Sequence, residues 1–187
     1  MTATHVALIR GINVGGNNAV SMAALREALT RDGFADVRTY INSGNVLLDA
    51  GKASTTSVNE AVEKVLLGEF SVTTVVVTVA ADALRRVVAD APRGFGKDTE
   101  TFKHDVVFLR DNIDAKQTLA VVRLKEGIDE AWAGERALYF RRLSARITGS
   151  YMGKIVALPQ YKHMTIRNWR STTTLARMLD DPGPVDA

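Results

Sequence analysis

His5-Val6-Ala7-Leu8-Ile9-Arg10, then Gly11-Ile12-Asn13-Val14-Gly15-Gly16-Asn17-Asn18-Ala19-Val20, then Ser21–Arg31, is the stretch on which the fold turns. The first six residues are an apolar run of strand length, and the next ten are too rich in Gly and Asn for helix or strand. Met22, Leu25, Ala28 and Leu29 then recur at helical spacing behind Ser21, a capping residue, and Gly33 ends the helix. Working outward, Asp36–Ile41 alternates, with Val37, Thr39 and Ile41 on one face; Asn42-Ser43-Gly44-Asn45 is a turn; and Val46–Asp49 returns as a hairpin. Ser57-Val58-Asn59-Glu60 matches a capping box ahead of an apolar stripe that ends at Phe70, and Val72–Val79 is a Val/Thr-rich strand. Strand–helix–strand–strand–helix–strand is the order of a ferredoxin-like, or split βαβ, unit.

After a linking helix at about 81–91 the order returns. Lys103–Arg110 reads as a strand, Asp114 caps a helix running to about Lys125, and Ile128–Ala133 with Ala137–Leu143 makes a second hairpin. Ser144–Leu158, with Ile147, Tyr151, Ile155 and Leu158 aligned, reads as a helix closed by Pro159. A short strand near Lys162–Thr165 and a terminal helix over Ile166–Leu179 complete the chain. The fold class is therefore α+β, with two ferredoxin-like halves, antiparallel sheets and a C-terminal helix. The expected division is 1–80, a linking segment 81–102, a basic half 103–179 and a loose tail 180–187. No residue-level repeat accompanies this duplication of architecture.

Composition bounds the function. The 187 residues hold 46% apolar and 24% charged side chains, as in a globular protein, and no Cys, which removes disulfides, thiol nucleophiles and thiolate metal sites. The longest apolar run, around Val75–Val79, is far short of a membrane span, and the N-terminus has no basic-then-apolar leader. The reading is a cytoplasmic protein without a membrane partner. The net charge of +3 is unevenly spread. Glu135–Leu179 carries nine Lys and Arg against one acid, a block that attracts phosphates, nucleic acid or an acidic partner unless other parts of the chain neutralise it.

Gly11–Val20 is the sharpest candidate site. Ten residues join strand to helix where two to six are usual, and Gly15 and Gly16 admit close backbone approach ahead of a helix N-terminus, where anions are favoured. The sequence is neither a dinucleotide fingerprint nor a Walker loop. In this topology the loop after the first strand and the hairpin turn leave the same end of the sheet. Arg10, Asn13, Gly15, Gly16 and Asn17 are thereby expected beside Asn42, Ser43, Gly44 and Asn45 around one ligand site. A second, basic patch is expected from Arg141, Arg167, Asn168 and Arg170. Thr165 is read as the cap of the last helix, and Trp169 as a core residue.

Arg10-Gly11-Ile12-Asn13-Val14-Gly15-Gly16, Tyr40-Ile41-Asn42-Ser43-Gly44-Asn45-Val46 and Thr165-Ile166-Arg167-Asn168-Trp169 together resemble the signature stretches of a bacterial family catalogued as domain of unknown function 1697. The resemblance implies an α+β protein with two ferredoxin-like halves. It implies no activity, substrate, cofactor or catalytic residue.

Enzyme signals are sparse. His5, His104 and His163 stand in no metal-binding spacing, so no metal set is read and no cofactor is implied; His163 is the best general-base candidate. Ser43 lacks a nucleophile elbow. Gly149-Ser150-Tyr151-Met152-Gly153-Lys154-Ile155 is one residue short of a P-loop and has Ile where the metal-binding hydroxyl belongs. Three readings stand. The leading one is a binding protein for a phosphate-bearing small molecule or nucleic acid. The others are an enzyme acting at the same rim, and a structural or protein-interaction module without a ligand.

Overall fold

The computed structural model describes residues 3–16 and 18–181. The chain divides into two compact units, Met1–Arg85 with Thr174–Ala187, and Arg86–Thr173.

The first unit contains β1 (His5–Ile9), α1 (Met22–Arg31), β2 (Ala35–Tyr40), β3 (Asn45–Asp49), α2 (Thr55–Phe70) and β4 (Val76–Ala80), with its sheet in the order β2-β3-β1-β4. Every neighbouring pair is antiparallel, so β1 and β2 run the same way with β3 between them. All five residues of β1 are buried, as its unbroken apolar run requires of a central strand. Ser21 Oγ accepts the Ala24 N–H at 3.3 Å to open α1, whose Met22, Leu25, Ala28 and Leu29 join Val58, Val62 and Leu66 of α2 in the core. On the edge strand β4, the N–H groups of Val76 and Thr78 are taken by Glu63 Oε1 (2.8 Å) and Asn59 Oδ1 (2.7 Å). Four residues on a helix match two on a strand, so α2 closes part of an edge that would otherwise template pairing.

Four details of this unit depart from the sequence reading. The cap of α2 is Ser54, whose Oγ accepts the Ser57 N–H at 3.1 Å, so Ser57 lies inside the helix. The last strand begins at Val76, and residues 72–75 lie outside it. A register shift between Ala35 and Arg38, with Asp36 at φ 45°, turns Arg38 inward, where it donates to the Met178 carbonyl (2.9 Å) and to Asp36 (3.1 Å). Ile41 falls off the strand into the turn.

The second unit contains β5 (Phe102–Leu109), α4 (Ala115–Val121), β6 (Asp129–Ala133), β7 (Ala137–Leu143) and β8 (Met164–Asn168), in the antiparallel sheet β6-β7-β5-β8. Val107, Leu109, Leu138, Phe140 and Met164 form one face of the sheet core. The unit boundaries fall inside α3 (Ala81–Ala89) and α5 (Trp169–Asp180).

The helix expected over Ser144–Leu158 is absent. In its place run three 3-10 segments, Ser144–Gly149, Met152–Ala157 and Pro159–His163. Gly149, Gly153 and the β-branched Thr148 and Val156 make a long α-helix costly, and the tighter turn still buries Met152 and Ile155 at its three-residue spacing. Thr165 caps nothing: it is fully buried inside β8, which extends through Arg167. Asn168 caps α5 instead, its Oδ1 accepting the Ser171 N–H at 2.7 Å. Asp180 ends that helix and pairs with Arg85 at 2.8 Å, while residues 182–187 of the expected tail lie outside the described residues.

Candidate functional site

The end of β1 is held by two backbone bonds. Ile9 N–H donates to the Gly44 carbonyl at 2.8 Å, and Arg10 N–H donates to Val75 at 2.9 Å. The loop that follows is therefore brought against the β2–β3 turn, and Asn13 fastens the two together. Its Nδ2 donates to the carbonyls of Val20 and Asn42, both at 2.9 Å, and its Oδ1 accepts the Val20 N–H at 2.7 Å. Asn13 N–H bonds to the Asn18 carbonyl (3.1 Å) and Asn18 Nδ2 to Gly11 (3.3 Å), with both asparagines at positive φ.

The expected residues thus converge, but they do different work. The Asn13 amide is spent closing its own loop. Asn45 is fully buried and donates to the Tyr40 carbonyl (3.1 Å) and Ser43 Oγ (3.0 Å). Gly44, at φ +74°, is a close approach: a Cβ there would lie 2.9 Å from Ile9 Cβ and 2.9 Å from its carbonyl oxygen. Arg10 is half-buried, and its carbonyl accepts the Thr74 hydroxyl. Gly15, Gly16 and Asn42 are exposed, Ser43 is half-buried, and Asn17 lies outside the described residues.

What remains open is an adjoining hollow of about 570 Å³, lined by Asn13, Gly16, Asn42 and the chain from Ala19 to Ala23. It lies at the N-terminus of α1, whose first turn carries no acid. The loop and the helix N-terminus were expected to face a ligand, but the expected site residues leave out Ala19–Ala23, which line the hollow through a capping serine, apolar side chains and the amides at the helix start. The expected set also leaves out Val14 and Ile41, which stand 62% and 45% exposed beside the Asn13–Asn42 bond.

Part of the basic block is occupied. Arg141 pairs with Glu130 at 2.5 Å, Arg136 pairs with Asp111, and Arg142 pairs with Asp105. Arg167 is buried and donates to Thr165 Oγ1 (2.9 Å) and the Ile166 carbonyl (2.8 Å); burial pulls its pKa down to about 10. Asn168 is a cap, and Arg170 is exposed.

The three histidines are not brought together. Burial lowers the pKa of each; at His104 nearby Arg141 adds to this, and at His163 Lys162 and Arg110 do so. The Tyr139 hydroxyl donates to the Val87 carbonyl at 2.8 Å and is pushed up to about 12 by burial. Among the described residues no group of three His, Asp or Glu is placed to hold a metal, and no helix is long and apolar enough to cross a membrane.

Two antiparallel sheets of the ferredoxin-like order, with an asparagine-fastened loop at the end of the first, define an α+β protein of duplicated architecture. The chain belongs to the family described as "Protein of unknown function (DUF1697)", whose model matches residues 1–139. That span includes the first two signature stretches, while Thr165–Trp169 lies beyond it. The structure is similar to that of the conserved bacterial protein SP0830 from Streptococcus pneumoniae, with a TM-score of 0.80 and 26% sequence identity over 96% of this chain and 99% of that one. No curated protein matches the chain.

Proposed function

We propose that the first unit binds a small phosphate-bearing molecule in the hollow at the start of α1. The observation that carries this reading is the hollow itself: about 570 Å³, within the range of small-molecule sites, beside the first-turn amides of a helix with no acid to repel an anion. Gly16 lets backbone approach a ligand closely. None of the lining side chains titrates, which favours binding over acid–base chemistry. The size of the hollow favours a small molecule here over a polymer.

Ala23→Glu tests the proposal. A carboxylate in the first helical turn stabilises the free protein by about 0.3–1 kcal/mol through the helix dipole, yet repels an anion in the hollow. Across a panel of nucleotides, sugar phosphates and inorganic phosphate, a ligand at about 100 times its Kd should raise unfolding free energy by about 2.7 kcal/mol in the parent protein. In Ala23→Glu that gain should vanish. Equal ligand stabilisation of both proteins, or of neither, defeats the reading.

A second reading rests on Val14 and Ile41. Ile41 is β-branched, at φ 49° and exposed, a combination a protein does not keep for folding alone. Val14 and Ile41, each next in sequence to a partner of the Asn13–Asn42 bond, are exposed apolar side chains suited to a protein partner.

A further inference from the structure

The second unit carries sixteen Lys and Arg against ten Asp and Glu, a net +6, whereas the first carries −3. Strand register places Phe102 and His104 of β5, Tyr139 and Arg141 of β7, and Glu130 and Trp132 of β6 on one face of its sheet. Phe95 covers the middle, meeting His104, Tyr139 and Trp169 edge-on at ring separations of 4.9, 5.3 and 5.1 Å. At the border of this cluster the Arg141 guanidinium lies 4.7 Å from the Phe102 ring centre and 5.4 Å from that of Trp132, and all three side chains are only half-buried. Glu130 holds the guanidinium at 2.5 Å. Between Phe95 and Phe102, His104 is 6% exposed, and neither ring nitrogen has a hydrogen-bond partner. The middle of the cluster is covered, while the planar groups at its border are only half covered and the His104 nitrogens stay unsatisfied.

We propose that Phe102, Arg141 and Trp132 form a stacking platform for single-stranded nucleic acid. Two aromatic rings and a guanidinium offer planar faces that any base matches, and they lie half-buried at the border of this cluster in a cationic unit. The covering segment adds exposed Arg93 and Lys97 on either side of Phe95. Two nearby carboxylates are already engaged, Glu130 with Arg141 and Asp98 with the Thr101 N–H at 3.2 Å. A sheet face gains affinity by repeated shallow contacts along a strand, whereas a lone nucleotide needs enclosure. The platform is independent of the hollow in the first unit.

The test uses the full chain and a fluorescein-labelled, mixed-sequence single strand of about fifteen nucleotides, followed by anisotropy at two salt concentrations. Trp169→Phe leaves Trp132 as the sole indole, so its emission reports the platform directly. Binding should weaken with salt, quench Trp132, and fall roughly tenfold in Trp132→Leu and in Phe102→Leu. Arg141→Lys, which keeps the charge and loses the plane, should weaken it too. No binding, unquenched Trp132 at saturation, unchanged affinity in folded Trp132→Leu, or a duplex bound as tightly as the single strand each overturns the proposal. A phosphate compound that stabilises the protein while the strand leaves Trp132 unquenched would sustain the hollow and remove the platform.

Discussion

The two halves leave their first strands in the same way and then part. Ile9 N–H donates to Gly44 and Arg10 N–H to Val75 in one half; Leu109 N–H donates to Arg136 (3.2 Å) and Arg110 N–H to His163 (3.0 Å) in the other. An arginine follows the last strand residue in both. In the second half only five residues, 110–114, lead to α4, and Arg136 pairs with Asp111 while Asp114 caps the helix through the Gln117 N–H at 2.7 Å. In the first half twelve residues, 10–21, lead to α1, and the position matching Arg136 is Gly44. One frame thus carries a short, ion-paired connection at one site and a long loop beside a hollow at the other. Loop length and the side chain at that single turn position separate them, with the strands held constant.

The largest test of this comparison is Gly44→Ala. The added methyl meets Ile9 Cβ and its carbonyl oxygen at 2.9 Å while the backbone stays at φ +74°. Strain and overpacking together should cost about 3 kcal/mol. The control is Gly15→Ala, also at positive φ but with nothing within 4 Å, which should cost only about 1 kcal/mol. Urea midpoints that fall with unchanged slope would register both losses. Equal losses would mean that the turn does not seat against β1 as described.

Next in size is Asn13→Ala, which strands the Val20 N–H and the carbonyls of Val20 and Asn42. The loss should be about 2 kcal/mol, softened because these groups lie near water. Asn13→Asp keeps the acceptor for Val20 N–H and loses the donor, so it should fall between parent and alanine. Amide exchange should quicken at Val20 and leave α2 untouched. If Asn13→Ala is neutral, the loop holds its shape without the fastening, and the long connection needs another explanation.

Much of the fold was legible because apolar periodicity is a property of the chain alone. HVALI has a buried-strand pattern and Met22–Leu29 a helical one, and both elements formed. The run after β7 was misread because Ile147, Tyr151 and Ile155 fit a helical stripe, whereas Gly149 and Gly153 set the backbone cost that a stripe does not show. Convergence of the Asn13 loop with the Asn42 turn followed from strand direction. The direction of the Asn13 and Asn45 amides did not, since an amide satisfies backbone as readily as a ligand. Arg141 and Arg142 looked like free charge because Glu130 and Asp105 become their partners only through cross-strand register.

The smallest effect concerns pH, and it too divides the halves. Burial depresses His5 in the first unit and His104 and His163 in the second. A histidine whose folded pKa lies below the unfolded value of about 6.5 stays neutral in the native state while the unfolded chain takes the proton. Stability is therefore intact above that value and declines as pH falls from it toward the lowered folded pKa. Two of the three groups lie in the second unit. One of them is His104, which has no hydrogen-bond partner and faces Arg141, while Asp105 and Asp98 act in the opposite direction. His104→Phe keeps a ring beside Phe95 and removes the proton acceptor, so urea stability should become flatter between pH 7 and pH 5. An unchanged slope would mean that His104 finds a proton-accepting partner in solution, which leaves one depressed histidine in each half, His5 and His163.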